Sequence, residues 1–263
     1  MEDDVRLTDL RTGQRAEIQS TRRGLLRVCV HLSARGGSLG FGDLRALLVA
    51  DVLARTAETE GAQVVLVHAA GGLTEERAKA WARDTGPLGI HPPAEHADTR
   101  DPRAALGGPV DVHLVADSAE AWKAADEPLF TTGPVHASGI DRLPQADAPE
   151  PLAVRLALLG QAHQRAADLD PAVLADAQTL LDRWRRLVAT WADAPSLPLH
   201  IEAVRRAFAA FHDDLDTATA LTVLRELESD PGVPDGARFE SFLRVDRVLG
   251  LELPRDIGRQ HAW

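Results

Sequence analysis

The sequence predicts an α/β fold, a doubly wound parallel sheet, followed by an all-α helical bundle. Three observations predict it. Short apolar runs at residues 25–30, 63–68 and 110–115 alternate with stretches of helical spacing, the order of a parallel sheet with crossover helices. The turn after the first run carries Gly36, Gly37, Gly40 and Gly42, as where backbone approaches a ligand at a helix N-terminus. From Glu150 onward the strand-like runs stop, and amphipathic helical periodicity carries the chain to Leu249.

Taken in order, residues 1–23 are polar, with an opening strand and turn at 7–13 that reads as an edge element. Leu25, Val28 and Val30 form a buried-type strand bounded by Arg22-Arg23 and the glycine turn. Asp43 is placed to cap a helix in which Leu44, Leu47, Leu48 and Val52 follow helical spacing. A second strand covers 63–68, and Thr74 starts a helix to Arg83 with Glu75 and Glu76 in its first turn, where carboxylates favour the positive end of the dipole. The third strand, 110–115, encloses His113, which reads as a core or rim histidine, and a helix is expected at 117–125. A proline-bearing stretch, 144–151, is the expected boundary between domains 1–148 and 149–263. Helices expected at 151–167, 171–192, 197–212, 217–228 and 237–249 make an antiparallel bundle. Asp216 with Thr217 reads as an N-cap, so Asp213, Asp214 and Asp216 start a helix rather than hold a metal. Trp184 and Trp191 share a helical face, for core packing or docking.

Composition narrows the chemistry. Across 263 residues, 44% hydrophobic content supports a real core. A net charge of −11 argues against a broad nucleic-acid surface, so tRNA is not an expected partner. One cysteine, Cys29, excludes an internal disulfide and a multi-cysteine zinc site. With no run of about 18 apolar residues and no basic-then-apolar leader, a cytoplasmic protein without membrane association is expected. His91, Glu95, His96 and Asp98 match no common metal spacing, and Pro92-Pro93 blocks a helix that would present two ligands, so no metal is expected.

Val28-Cys29, Gly42, Leu44-Arg45 and Asp51-Val52-Leu53 together resemble the first strand, signature loop and first helix of class I aminoacyl-tRNA synthetases of the cysteinyl type. There a strand ending Val-Cys-Gly-Pro-Thr-Val-Tyr leads to His-Ile-Gly-His, Leu-Arg and Phe-Asp-Val-Leu. The stretch from Phe211 to Leu221 resembles that family's Met-Asp-Asp-Asp-Phe-Asn-Thr-Pro-x-Ala-Leu, and Arg247-Val248-Leu249-Gly250-Leu251 resembles the close of its bundle. The sequence is thus similar to the cysteinyl-tRNA synthetase and mycothiol cysteine ligase group, as a truncated and degenerate paralogue. The resemblance implies a Rossmann-like (HUP-type) sheet, a nucleotide-binding loop of Gly40, Phe41, Gly42, Asp43 and Arg45, a substrate pocket at Cys29, His31 and His68, and ATP as the cofactor.

The departures from the family bear on activity. Its two signature histidines fall on Gly40 and Asp43. The interval 140–149, where it places Lys-Met-Ser-Lys-Ser, contains no lysine. The loop bringing its zinc-binding His and Glu is missing, which leaves Cys29 of the ligand set, and no counterpart of its anticodon-reading domain is expected after Leu253. Zinc is therefore not expected, and no catalytic residue is assigned. Two functions remain open. One is a non-catalytic binding or regulatory subunit with weak nucleotide or aminoacyl-adenylate binding, its bundle facing a protein partner or an intact synthetase-like paralogue. The alternative is a tRNA-independent, ATP-dependent cysteine ligase working through Arg35, Asp43 and Arg45.

Overall fold

The computed structural model describes residues 5–18, 24–33, 38–97, 102–116, 127–140, 143 and 149–258. The chain opens with a hairpin of β1 (Val5–Thr8) and β2 (Arg15–Ile18), antiparallel about a turn whose Gly13 has a positive φ. The main sheet then forms from β3 (Leu25–His31), α1 (Phe41–Thr59), β4 (Gln63–Ala69), α2 (Glu75–Thr85), β5 (Glu95–Ala97), α3 (Pro102–Leu106), β6 (Val112–Val115) and β7 (Leu129–Thr131). Its five strands run parallel in the order β5-β4-β3-β6-β7. The order reverses beside β3, so the crevice for a ligand lies outside the carboxyl ends of β3 and β6.

Both faces of the sheet are covered, which explains why β3 reads as a near-continuous apolar run. Val28, Val30 and Leu114 pack with Leu44, Leu47 and Leu48 of α1, whereas Cys29, Val67, Ala69 and Ala97 pack with Leu106 of α3. Fourteen residues of α1 are buried, because the sheet lies on one side of it and the helical region on the other. At its start Asp43 accepts a hydrogen bond from the Gly40 amide (3.1 Å) and another from the Ser33 amide (2.8 Å). One carboxylate thereby caps the helix and pins the exit of β3 to it.

The helical region contains α4 (Pro151–Leu159), α5 (Pro171–Trp191), α6 (Ile201–His212), α7 (Thr217–Ser229) and α8 (Asp235–Leu249). The helix expected at 151–167 ends at Leu159, where Gly160 caps it, and residues Ala167–Leu169 leave as β9. That strand pairs in parallel with β8 (Val135–Ala137). The pairing needs close approach: a Cβ on Gly133 would lie 2.3 Å from the Arg165 carbonyl oxygen. The helix expected at 117–125 falls outside the described residues, as does most of the 140–149 interval.

Trp184 and Trp191 lie in the core, each edge-on to Phe242, at 5.7 and 5.0 Å between ring centroids. Asp216 caps α7 through the Thr219 amide, as its sequence position indicates. Asp213 and Asp214 turn to the opening hairpin instead, Asp213 pairing with Arg15 and Asp214 accepting from the Thr8 amide (3.0 Å). Gly236, in the first turn of α8, is pressed against the Pro195 carbonyl, 2.0 Å from where a Cβ would stand. Backbone on both sides cannot yield, so Gly236→Ala is expected to destabilise the protein by about 3 kcal/mol. The Gly160→Ala control, whose Cβ meets carbonyls at an ordinary 3.5 Å, is expected to stay within about 1 kcal/mol by urea unfolding.

Candidate functional site

In parallel register Cys29 stands opposite His113, and His31 lies two residues further along β3. Residues opposite one another, and residues two apart, share a sheet face. Cys29, His31 and His113 therefore converge at the switch point, all buried, with their ligand atoms within 4.8 Å of one another. His31 Nε2 and His113 Nδ1 are 2.9 Å apart, so one ring donates to the other. Burial, and then the neighbouring His113, pushes the His31 pKa down to about 3. Burial also lowers His113, to about 4, with Glu127 opposing and Arg103 and Arg11 assisting. The Cys29 thiol is pushed up to about 12 by burial. The cluster is a neutral thiol beside two neutral imidazoles.

The donor types, one sulfur and two imidazole nitrogens, are those that hold zinc with an open position. A metal would have to displace the thiol proton and the bond between the rings. Counting thiols in the sequence did not anticipate this set, because the two imidazoles reach Cys29 only through strand pairing. Of the four residues at 91–98, Asp98 lies outside the described residues; among the other three, His91 binds Asp51 at 2.9 Å and Glu95 is exposed.

The other sequence-derived positions separate. His68 pairs in register with Val30, so it faces α1, on the opposite side of the sheet from Cys29 and His31. It is buried, stands edge-on to His96 at 5.5 Å, and is held near pKa 3 by burial and by His96. Gly40, Phe41 and Gly42 form the start of α1 beside the crevice. Asp43 is buried there, receiving the Ser33 hydroxyl (3.0 Å) as well as its two backbone amides. Arg45 leaves the crevice altogether: its guanidinium donates to the carbonyls of Arg165 (2.5 Å), Ala162 (2.7 Å) and Gly133 (3.1 Å). It ties α1 to the β8–β9 connection, and burial lowers its pKa to about 10. Arg35 is outside the described residues.

No protein-family model matches the chain. A 110-residue stretch is 37% identical to the L-cysteine:1D-myo-inositol 2-amino-2-deoxy-alpha-D-glucopyranoside ligase of Thermobifida fusca (strain YX), covering 40% of this chain and 26% of that one. Similar stretches match the ligases of that name from Kribbella flavida, at 35% identity over 40% of this chain and 25% of the relative, and Streptomyces griseus, at 37% over the same shares. The chain is a relative of these cysteine ligases. The matched stretch spans about a quarter of the length of those curated relatives. The kinship agrees with the group to which the strand, loop and bundle motifs point, and with a Rossmann-like sheet followed by helices. Among the described residues no helix of this cysteine-ligase relative is long and apolar enough to cross a membrane.

Proposed function

We propose that this cysteine-ligase relative is a non-catalytic binding protein, which takes an aminoacyl-adenylate or small thiol ligand weakly at the switch-point crevice and forms no adenylate itself. The observation that carries this is the position of Asp43. A helix N-terminus at a Rossmann-like crevice attracts phosphate through its amides and dipole. Here a buried carboxylate already fills that place, bonded to Ser33 and Gly40. A phosphate oxygen about 4 Å from it, at an effective dielectric near 20, meets about 4 kcal/mol of repulsion. Arg45 offers no compensation, since backbone carbonyls hold its guanidinium. The crevice therefore favours the less charged adenylate or an amino acid over a triphosphate.

The thiol-and-imidazole cluster supports recognition rather than activation. Cys29, His31 and His113 would hold zinc if it were supplied, and zinc there would act as a Lewis acid toward a ligand thiol. Without it, the neutral imidazoles offer hydrogen-bonding groups.

Calorimetric titration with ATP and with a non-hydrolysable cysteinyl-adenylate analogue, run beside cysteine-dependent pyrophosphate exchange, tests the reading. Saturable binding of the analogue, weaker heat with ATP and no exchange are expected. Exchange above background would make the protein a ligase, and an absence of heat with both ligands would remove the binding role.

A further inference from the structure

Away from the switch point, a second cleft of about 300 Å³ opens between α1 and the 90–94 segment, floored by β4. Leu47, Ala54, Leu66, Ile90 and Pro92 give it apolar walls, and His68 lines it as well. His68 is 2% exposed, and neither of its ring nitrogens has a hydrogen-bond partner in the structure. A neutral imidazole carries one N–H donor and one acceptor lone pair. Leaving both buried and unmade costs stability that an apolar side chain of similar size would not. A residue kept against stability is a signature of binding.

We propose that this cleft is a binding site for a compact, neutral, hydroxyl-bearing molecule of the phenol or alcohol class, the His68 ring, whose nitrogens are closed to solvent as it stands, turning to meet the hydroxyl. The volume is at the small end for ligand pockets, which limits the occupant to a single ring or short chain. A hydroxyl both donates and accepts, so it can satisfy whichever nitrogen of the ring it reaches. Two carboxylates line the cleft and decide the charge of the occupant. Asp51 is fully engaged by Arg55, Arg155 and His91, whereas Glu58 is exposed and disfavours an anion. Burial and His96 keep the His68 ring neutral down to acid pH, so it presents no charge for an anion to meet. The site is independent of the switch-point crevice, because His68 and Cys29 face opposite sides of the sheet.

The test compares phenol with toluene, matched in shape but lacking the hydroxyl. Binding is followed by the ring resonances of His68 and by calorimetry. Wild-type protein is expected to bind phenol about tenfold more tightly than toluene, the worth of one buried hydrogen bond. In His68→Leu that preference is expected to fall to about one, while the thermal midpoint rises because two unpaired polar atoms are gone. Ala54→Phe keeps His68 but fills the cleft, and is expected to abolish binding of both probes. The proposal is overturned by a phenol preference that survives in His68→Leu, by a lowered thermal midpoint of that variant, or by an absence of phenol binding to wild type. An ordered water alone on His68 in phenol-soaked crystals would also overturn it.

Discussion

Replacing Arg155 with alanine is expected to remove about 3–5 kcal/mol of folding stability. The side chain is fully buried in α4 and spends its guanidinium on three elements at once. Nη2 donates to Asp51 of α1 at 2.7 Å, Nη1 to the Leu88 carbonyl at 3.1 Å, and Nε to the Leu249 carbonyl that ends α8 at 2.6 Å. Burial alone would raise the Asp51 pKa, but the His91 hydrogen bond and the charges of Arg155 and Arg55 outweigh it and hold the carboxyl well below the usual range. Asp51 is therefore ionised in the interior, and its ionisation depends on those partners. Without Arg155, a buried carboxylate loses its innermost counter-ion and two carbonyls lose their donor. Urea unfolding should show a lower midpoint with an unchanged slope. Asp51→Leu alone should also destabilise, whereas Arg155→Met combined with Asp51→Leu should cost less than the sum of the single changes, because the unpaired charges vanish together. Additive losses would mean that the pair does not couple the sheet to the bundle.

The parts of this fold legible in the sequence are those whose signal is local and long. β3, α1, β4 and α2 show a change of period within one stretch of chain, and the longer helices α5 to α8 show their apolar faces directly. β5, β7, β8 and β9 have three residues each, too few for periodicity to declare itself. The β8–β9 pair also joins residues some thirty positions apart, which is why the helix of α4 reads as running on through Ala167.

The candidate site divides along the same line. Cys29 and His31 alternate on one strand, a local relation visible in sequence, whereas His113 joins them across 82 positions of chain. His68 shows the limit most plainly. A shift of one residue in strand register would place it beside Cys29, and nothing local fixes that register. Asp43 is legible as a cap from its neighbours, but its hold on Ser33 depends on how the intervening turn folds back. Arg45 has the residue type and position of a phosphate ligand, and only tertiary structure shows its donors turned to carbonyls.

Acid is expected to begin destabilising the chelator-treated protein well above the pH at which carboxylates titrate. An unfolded histidine titrates near pH 6.5. In the folded protein His31 and His68 titrate at about 3 and His113 at about 4. From about pH 6.5 down to 4 the unfolded chain thus binds at least three protons that the folded chain refuses, burial lowering His96 and His163 as well, so stability falls as pH falls. Each histidine contributes up to about 1.4 kcal/mol per pH unit, so the three together approach about 4 kcal/mol per unit. A domain of about 10 kcal/mol would then unfold near pH 4. Asp51 extends the effect: its depressed folded pKa contributes stability that is full above about pH 4 and is lost as pH falls further. Urea midpoints measured from pH 7.5 to 4.5 should show this slope, and His68→Leu and His113→Leu should each lower it by about one proton. A flat profile between pH 7 and 5 would mean that solvent reaches these imidazoles in the folded protein, and that the neutral cluster at the switch point is open to ligands without rearrangement.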